Sequence, residues 1–254
     1  MSYIDLHATL KDWPYDPEQV SVRKIVGSDG LTRIQMRVEL GILQMEAEGR
    51  PDGARPHGCT SLLDYHRKRL LKNGDEANGK AGYVLSPQEC QDLRAEASLF
   101  YRRFVALFVL EEFVEVTRDT AHNLALFDLC RDSARTAEDR AALEPFRPYV
   151  IMMDARARAY EAILDHHPAS ALAHVNRGIL GIKAHFERRE EPEAANACEE
   201  IKMLRALTCE VAAKMPPDSP LVTRRALRAA IEKEEFEEAA RLRDALKNLG
   251  DRNP

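Results

Sequence analysis

Glycine is scarce in this chain, with 12 among 254 residues, while Ala, Leu, Glu and Arg are frequent. That balance excludes a turn-dense architecture and favours helices. Long hydrophobic runs are missing too. The longest, Phe104 to Leu110, has seven residues and is too short to cross a bilayer. Cysteine is present only as Cys59, Cys90, Cys130, Cys198 and Cys209, odd in number, scattered, and never three apart. This excludes a C-x-x-C redox or zinc motif and suits reduced thiols acting as small core residues. No strong positive charge exists: the net charge is −5, so no global field draws in nucleic acid or an anionic membrane. The N-terminal Met-Ser-Tyr-Ile-Asp-Leu-His lacks a basic segment leading into an apolar one, so no signal peptide is expected and the expected compartment is the cytoplasm. G-x-x-x-x-G-K-[ST], G-x-S-x-G and H-E-x-x-H are all absent. No catalytic residue, cofactor or metal set is therefore assigned, and the chain is read as a non-enzyme.

What is there begins with an arm. Trp13-Pro14-Tyr15-Asp16-Pro17 favours an extended or turned segment, with the single tryptophan packing down it. Val20 to Val26, the turn signal Asp29-Gly30, and the alternation of Ile34, Met36, Val38, Leu40 and Ile42 with polar residues argue for a β-hairpin. A helix is the rival, because Ile34, Val38, Ile42 and Met45 also share a helical face; β-branched content and the turn favour strands. Gly49 to Gly58 then holds three Gly, two Pro, Arg50, Arg55 and His57. It reads as a rigid connector, or as an anion or partner loop built from Arg50, Arg55 and His57. The arm, hairpin and loop make a first region, 1–58.

Residues 59–215 read as a helical body. Ser61 to Asn73 is a helix that Gly74 should close, and 75–82 a plausible boundary. Ser86-Pro87-Gln88-Glu89 is a capping box opening a helix to about Leu110. Glu111-Glu112-Phe113 interrupts it before a second helix, and the same tripeptide recurs at 234–236, as expected of a chain built from antiparallel helix pairs. Within this body Arg118 and Asp119 either join an interior ion network or line a groove. Pro148 opens another helix. Tyr160 to Leu164, Pro168 and Gly178 resemble part of a tetratricopeptide repeat, although Ile163 and Arg177 depart from its pattern. Ser170 caps a helix to about Glu187, Pro192 opens one to about Met215, and Met215 to Pro220 is a stiff linker.

The last region, 220–254, carries the most specific signal. Leu227, Ala230 and Ile231, then Phe236, Ala239, Ala240, Leu242, Leu246 and Leu249, fall at spacings of three and four on both sides of Lys233-Glu234-Glu235. This describes two short amphipathic helices folded back on each other, with Phe236 plugging the closed end. Such a small core needs a partner surface. Glu234-Glu235-Phe236-Glu237, Ala239-Ala240 and Leu242-Arg243-Asp244 together resemble the UVR motif of the UvrB and UvrC repair proteins and of some Clp-protease regulators. The run from the alternating strand into Gly-Arg-Pro-Asp-Gly is likewise similar to a stretch in bacterial proteins that carry the same motif, which implies shared architecture and no activity.

The resemblance implies a docking module. Its expected contact set is Leu227, Ile231, Phe236, Ala239, Ala240, Leu242, Arg243 and Leu246, with Glu237 and Asp244 setting the register. The expected partner is a protein carrying a complementary helical hairpin, or a second copy of the chain. The ATP machinery of UvrB is missing, and so are the paired cysteines of the protease regulators. The alternative is a DNA-repair accessory with weak nucleic-acid contact along Arg67, Lys68, Arg69, Lys72, Arg102, Arg103, Arg224, Arg225 and Arg228. His166, His167 and His174 as a zinc site, and His57 with Cys59 as base and nucleophile, are weaker readings. The expected fold is mainly α: antiparallel helix pairs with a small N-terminal β-hairpin and a C-terminal helical hairpin.

Overall fold

The computed structural model describes residues 5–76, 83–213, 223, 226, 227, 230, 231 and 233–250. The fold is mainly α with a small antiparallel sheet near the N-terminus. Asp29 shapes the first turn: its carboxylate accepts from the Leu31 amide at 3.1 Å and from the Arg33 guanidinium at 2.7 and 2.5 Å. Gly30 at φ 78° supplies the left-handed residue the turn requires. Strands β1 (Val22–Val26) and β2 (Thr32–Val38) then pair with Val26 opposite Thr32. The alternating run does not continue as one strand to Ile42. It turns at Glu39 and Leu40, where Leu40 is 88% exposed, and returns as β3 (Gly41–Glu46). Ile34 lies opposite Met45, and Met36 opposite Leu43, so the buried face continues through Leu43 and Met45 rather than Ile42. The arm lies against this sheet: Trp13 donates to Ser21 Oγ at 2.5 Å, and the Arg23 guanidinium stands 4.1 Å from its ring centre.

Helix α1 (His7–Leu10) is a single turn, and α2 (Leu62–Glu76) runs through Gly74 rather than stopping there. The expected boundary at 75–82 lies largely outside the described residues. Helix α3 (Pro87–Val109) opens as its sequence requires: the Glu89 amide donates to Ser86 Oγ and the Ser86 amide to Glu89 Oε2. It packs along α4 (Phe113–Ser133) over Leu93, Phe100, Phe104, Leu107, Val116 and Leu126, all buried. A short bridge closes the open end of this pair: the Leu85 amide donates to Ser133 O at 2.7 Å and the Arg135 amide to Leu85 O at 3.1 Å. Helix α5 (Ala137–Ala141) is capped by Thr136, and α6 (Arg147–Leu164) follows.

The chain forms two compact units, 1–157 and 158–254, and the boundary between them in sequence falls inside α6. In the second, α7 (Pro168–Arg188) packs on α9 (Glu199–Ala213) through Val175, Ile182, Ile201, Leu204 and Leu207. Gly178 is buried in α7. The helix expected from Pro192 is broken: Cys198 adopts ψ 119° and separates α8 (Ala194–Ala197) from α9. The linker Met215 to Pro220 lies outside the described residues. The last helix, α10, is Phe236–Gly250. Among the described residues no helix is long and apolar enough to cross a membrane.

The first unit is tied together by buried charge. Arg103 and Asp119 have side chains at 0% exposure and pair through two bonds of 2.6 and 2.8 Å. The third Arg103 contact is the Glu46 carbonyl at the end of β3, at 3.0 Å. Arg118 adds a bond to Asp119 at 3.1 Å and reaches the Ala47 carbonyl and Glu48. Of the two expectations for Arg118 and Asp119, the ion network is present, and the same two residues also line a cleft. Asp119→Ala should lower the unfolding free energy by about 3–5 kcal/mol, because it strands a buried guanidinium. Urea denaturation measures this, and Arg103→Met combined with Asp119→Leu should recover most of the loss.

Candidate functional site

The C-terminal hairpin is built around a helix end in which a glutamate takes the left-handed position. Glu234 has φ 59°. Its amide donates to Ile231 O at 3.1 Å, and the Glu235 amide reaches back to Ala230 O at 2.8 Å. These two bonds make a Schellman motif, which satisfies the last carbonyls of one helix before Phe236 starts the next. Thr223, Ala226, Leu227, Ala230 and Ile231 are helical on the approach to that turn.

The α3–α4 turn in the first unit repeats the device. Glu111 has φ 60°, its amide donates to Phe108 O at 3.2 Å, and the Glu112 amide donates to Leu107 O at 3.0 Å. In both turns the next residue is the phenylalanine that opens the following helix. Their surroundings differ. Phe113 is 8% exposed and packs edge-to-face with Phe108 at 5.6 Å, whereas Phe236 is 70% exposed. The expectation that Phe236 plugs its hairpin is therefore corrected: the small turn has no core deep enough to take an aromatic ring.

The structure sorts the expected contact residues into two groups. Ala230 and Ala239 are buried, and Leu227, Leu242 and Leu246 are half-buried. At 100° per residue Ala239, Leu242 and Leu246 share one face of α10, the more buried one. Phe236, Ala240 and Arg243 share the neighbouring, exposed face, with Glu237 and Asp244 beside them and Ile231, 54% exposed, just before the turn. Arg243 pairs with Asp244 at 3.2 Å, both largely exposed, so the pair is worth little in isolation and is open to exchange.

In the first unit, the three residues of the Gly/Pro loop do not form one site. Arg50 turns inward, with Nε 3.4 Å from both Asp52 and the buried Glu96. Arg55 is exposed and lines a cleft of about 790 Å³ with Lys24, Leu31 and Glu48. His57, in a left-handed conformation (φ 50°), stacks on Tyr65 at 4.1 Å. Cys59 instead faces Lys68, whose Nζ lies 3.7 Å from the sulfur, so the His57–Cys59 pairing is not formed.

The proposed basic stripe is also reshaped. Arg103 is interior, Lys68 pairs with Asp64 and Arg69 with Glu89 at 2.8 Å each, and Arg67 and Arg102 are exposed. Arg224, Arg225 and Arg228 lie outside the described residues, as does the side chain of Lys72. His166 and His167 are exposed at the α6–α7 corner, and among the described residues no group of three His, Cys, Asp or Glu side chains is placed to hold a metal ion.

One arrangement was missed by sequence reasoning. Glu96, fully buried on α3, accepts from the Leu62 and Leu63 amides at 2.7 and 3.1 Å and contacts His122 Nε2 at 3.2 Å. Burial raises its pKa, but the His122 bond and the two helix-end amides outweigh that and hold it below the usual glutamate value. The signal was available: Glu96 stands three residues after Leu93 and four before Phe100, on the apolar stripe.

Compared with known proteins, residues 223–252 match the family described as the UvrB/uvrC motif (UVR). The chain therefore carries a UVR motif near its C-terminus. No curated protein and no solved structure matches it.

Glu234→Gly should stabilise the hairpin by about 1 kcal/mol, since only the β-carbon opposes the left-handed conformation there. Thermal unfolding followed by circular dichroism should show a higher midpoint for the second unit; a lower one would mean that the Glu234 side chain contributes contacts of its own.

Proposed function

We propose that this chain is a non-enzymatic interaction protein that docks through its C-terminal UVR hairpin, on a protein bearing a complementary helical hairpin or on a second copy of itself. The observation that carries the reading is the outward placement of Phe236 and Ile231 on either side of one turn. An aromatic side chain that is exposed in the free protein and buried on docking is the kind of anchor that supplies a large share of an interface's affinity. Ala240 on the same face leaves room for a facing helix. Glu237, Arg243 and Asp244 around it would select among partners, since like charges brought together are penalised.

The match to the UvrB/uvrC motif supports the docking role. A repair-accessory role with nucleic-acid contact receives less support, because burial of Arg103 and the pairing of Lys68 and Arg69 thin its basic stripe.

Phe236→Glu tests the reading. The ring is mostly in water, so the variant should unfold at the parent temperature. Affinity capture with immobilised protein should lose its partners, and any self-association seen by sedimentation should weaken by about a hundredfold or more. An unchanged set of captured partners would overturn the role of this face.

A further inference from the structure

We propose that the cleft between the start of α2 and the middle of α4 binds a phosphate monoester, whose phosphoryl group meets Arg67, Ser61 and His122. The cleft has a volume of about 410 Å³. Three groups on its wall have hydrogen-bonding capacity that the described structure does not use. Arg67 is exposed and makes no ion pair among the described residues. Ser61 is 6% exposed; its Oγ accepts from the Asp64 amide at 3.0 Å, and its own proton has no acceptor. His122 is held flat against Phe100 at 3.6 Å, with Nε2 directed at the Glu96 carboxylate, and its Nδ1 has no partner among the described residues; in the neutral imidazole that nitrogen accepts.

This set fits a phosphate better than a carboxylate. The cleft wall carries two donors and, in the neutral imidazole, one acceptor; a singly protonated phosphoryl group offers oxygens to Arg67 and Ser61 while its P–O–H donates to Nδ1. A carboxylate has no proton to give. The rest of the wall does not compete. Each Arg103 nitrogen is already bonded, to Asp119 or to the Glu46 carbonyl, and the side chain is buried; Arg118 is engaged by Asp119, Ala47 and the exposed Glu48.

The larger cleft of about 790 Å³ shares Gly49 and Thr60 with this one and supplies Leu31, Ala54 and Arg55 for the organic part of the ligand. Of the six cationic side chains on the two clefts, Lys24, Arg50, Arg103 and Arg118 are paired with carboxylates, whereas Arg55 and Arg67 make no ion pair among the described residues. These two uncompensated guanidinium groups are the cationic contacts left for an anion.

Isothermal titration of the full chain with AMP, inorganic phosphate, adenosine and succinate tests this. AMP should bind and inorganic phosphate should compete more weakly, while adenosine and succinate should not bind. Arg67→Gln and His122→Gln should each weaken AMP by about tenfold, with Arg67→Gln leaving the unfolding midpoint unchanged. Phe236→Glu should leave AMP affinity untouched, which separates this site from the docking face. No heat from AMP at millimolar concentration, equal binding of succinate or of free phosphate, or parent-like affinity in Arg67→Gln would each overturn the proposal.

Discussion

A guanidinium with no access to water decides how the first unit is assembled. Arg103 comes from the buried face of α3, and its carboxylate, Asp119, from α4; its remaining nitrogen donates to a β3 carbonyl. Withdrawing both charges from water costs several kcal/mol per ion, and their attraction returns that only in good geometry. Net stability from the pair is therefore small, while the penalty for any arrangement that separates them is large. The consequence is a fixed position rather than a stronger fold. With the Glu46 carbonyl tied to Arg103, the Gly/Pro loop must leave the sheet beside α4 and return to α2 past Glu96. That path is what opens the two clefts.

The scarcity of glycine has a structural counterpart at the helix ends. Glu111, His166, Glu190 and Glu234 all take left-handed conformations with φ near 60°. In each case the following amide reaches back to a carbonyl five residues earlier. A side chain in that conformation costs roughly 1–2 kcal/mol relative to the right-handed one, a strain glycine would avoid. These ends are therefore imposed by packing on both sides of the turn more than by local preference.

That division explains what could be read in advance. The helix opening at Ser86 was legible because cap chemistry and apolar spacing agree there, and the helix pair around Glu111 and the C-terminal hairpin were legible from apolar spacing on both sides of a polar break. The third strand was not, since Leu40 continues the apolar alternation although it sits in a turn. Nor was the break at Cys198, where neither Gly nor Pro marks the change in ψ. For the candidate docking site, membership was legible but orientation was not: spacing placed Phe236 and Leu242 on helices without saying which would face water. The phosphate cleft was hidden for a different reason. Its residues come from a loop and two helices, and only their tertiary arrangement brings Ser61, Arg67 and His122 together.

The two Glu-Glu-Phe turns form an internal comparison. Backbone geometry is the same, so any difference between the phenylalanines reflects what surrounds them. Full burial of a phenylalanine is worth about 1.5–3 kcal/mol; Phe113 collects it from Phe108 and its neighbours, and Phe236 at 70% exposure does not. A single exposed apolar residue would be unremarkable on any surface. Here two large ones, Ile231 and Phe236, flank one turn, while the hairpin's interior is left to Ala230, Ala239 and half-buried leucines. Among the described residues of this hairpin, the two large apolar side chains beside the turn therefore contribute little to its closure.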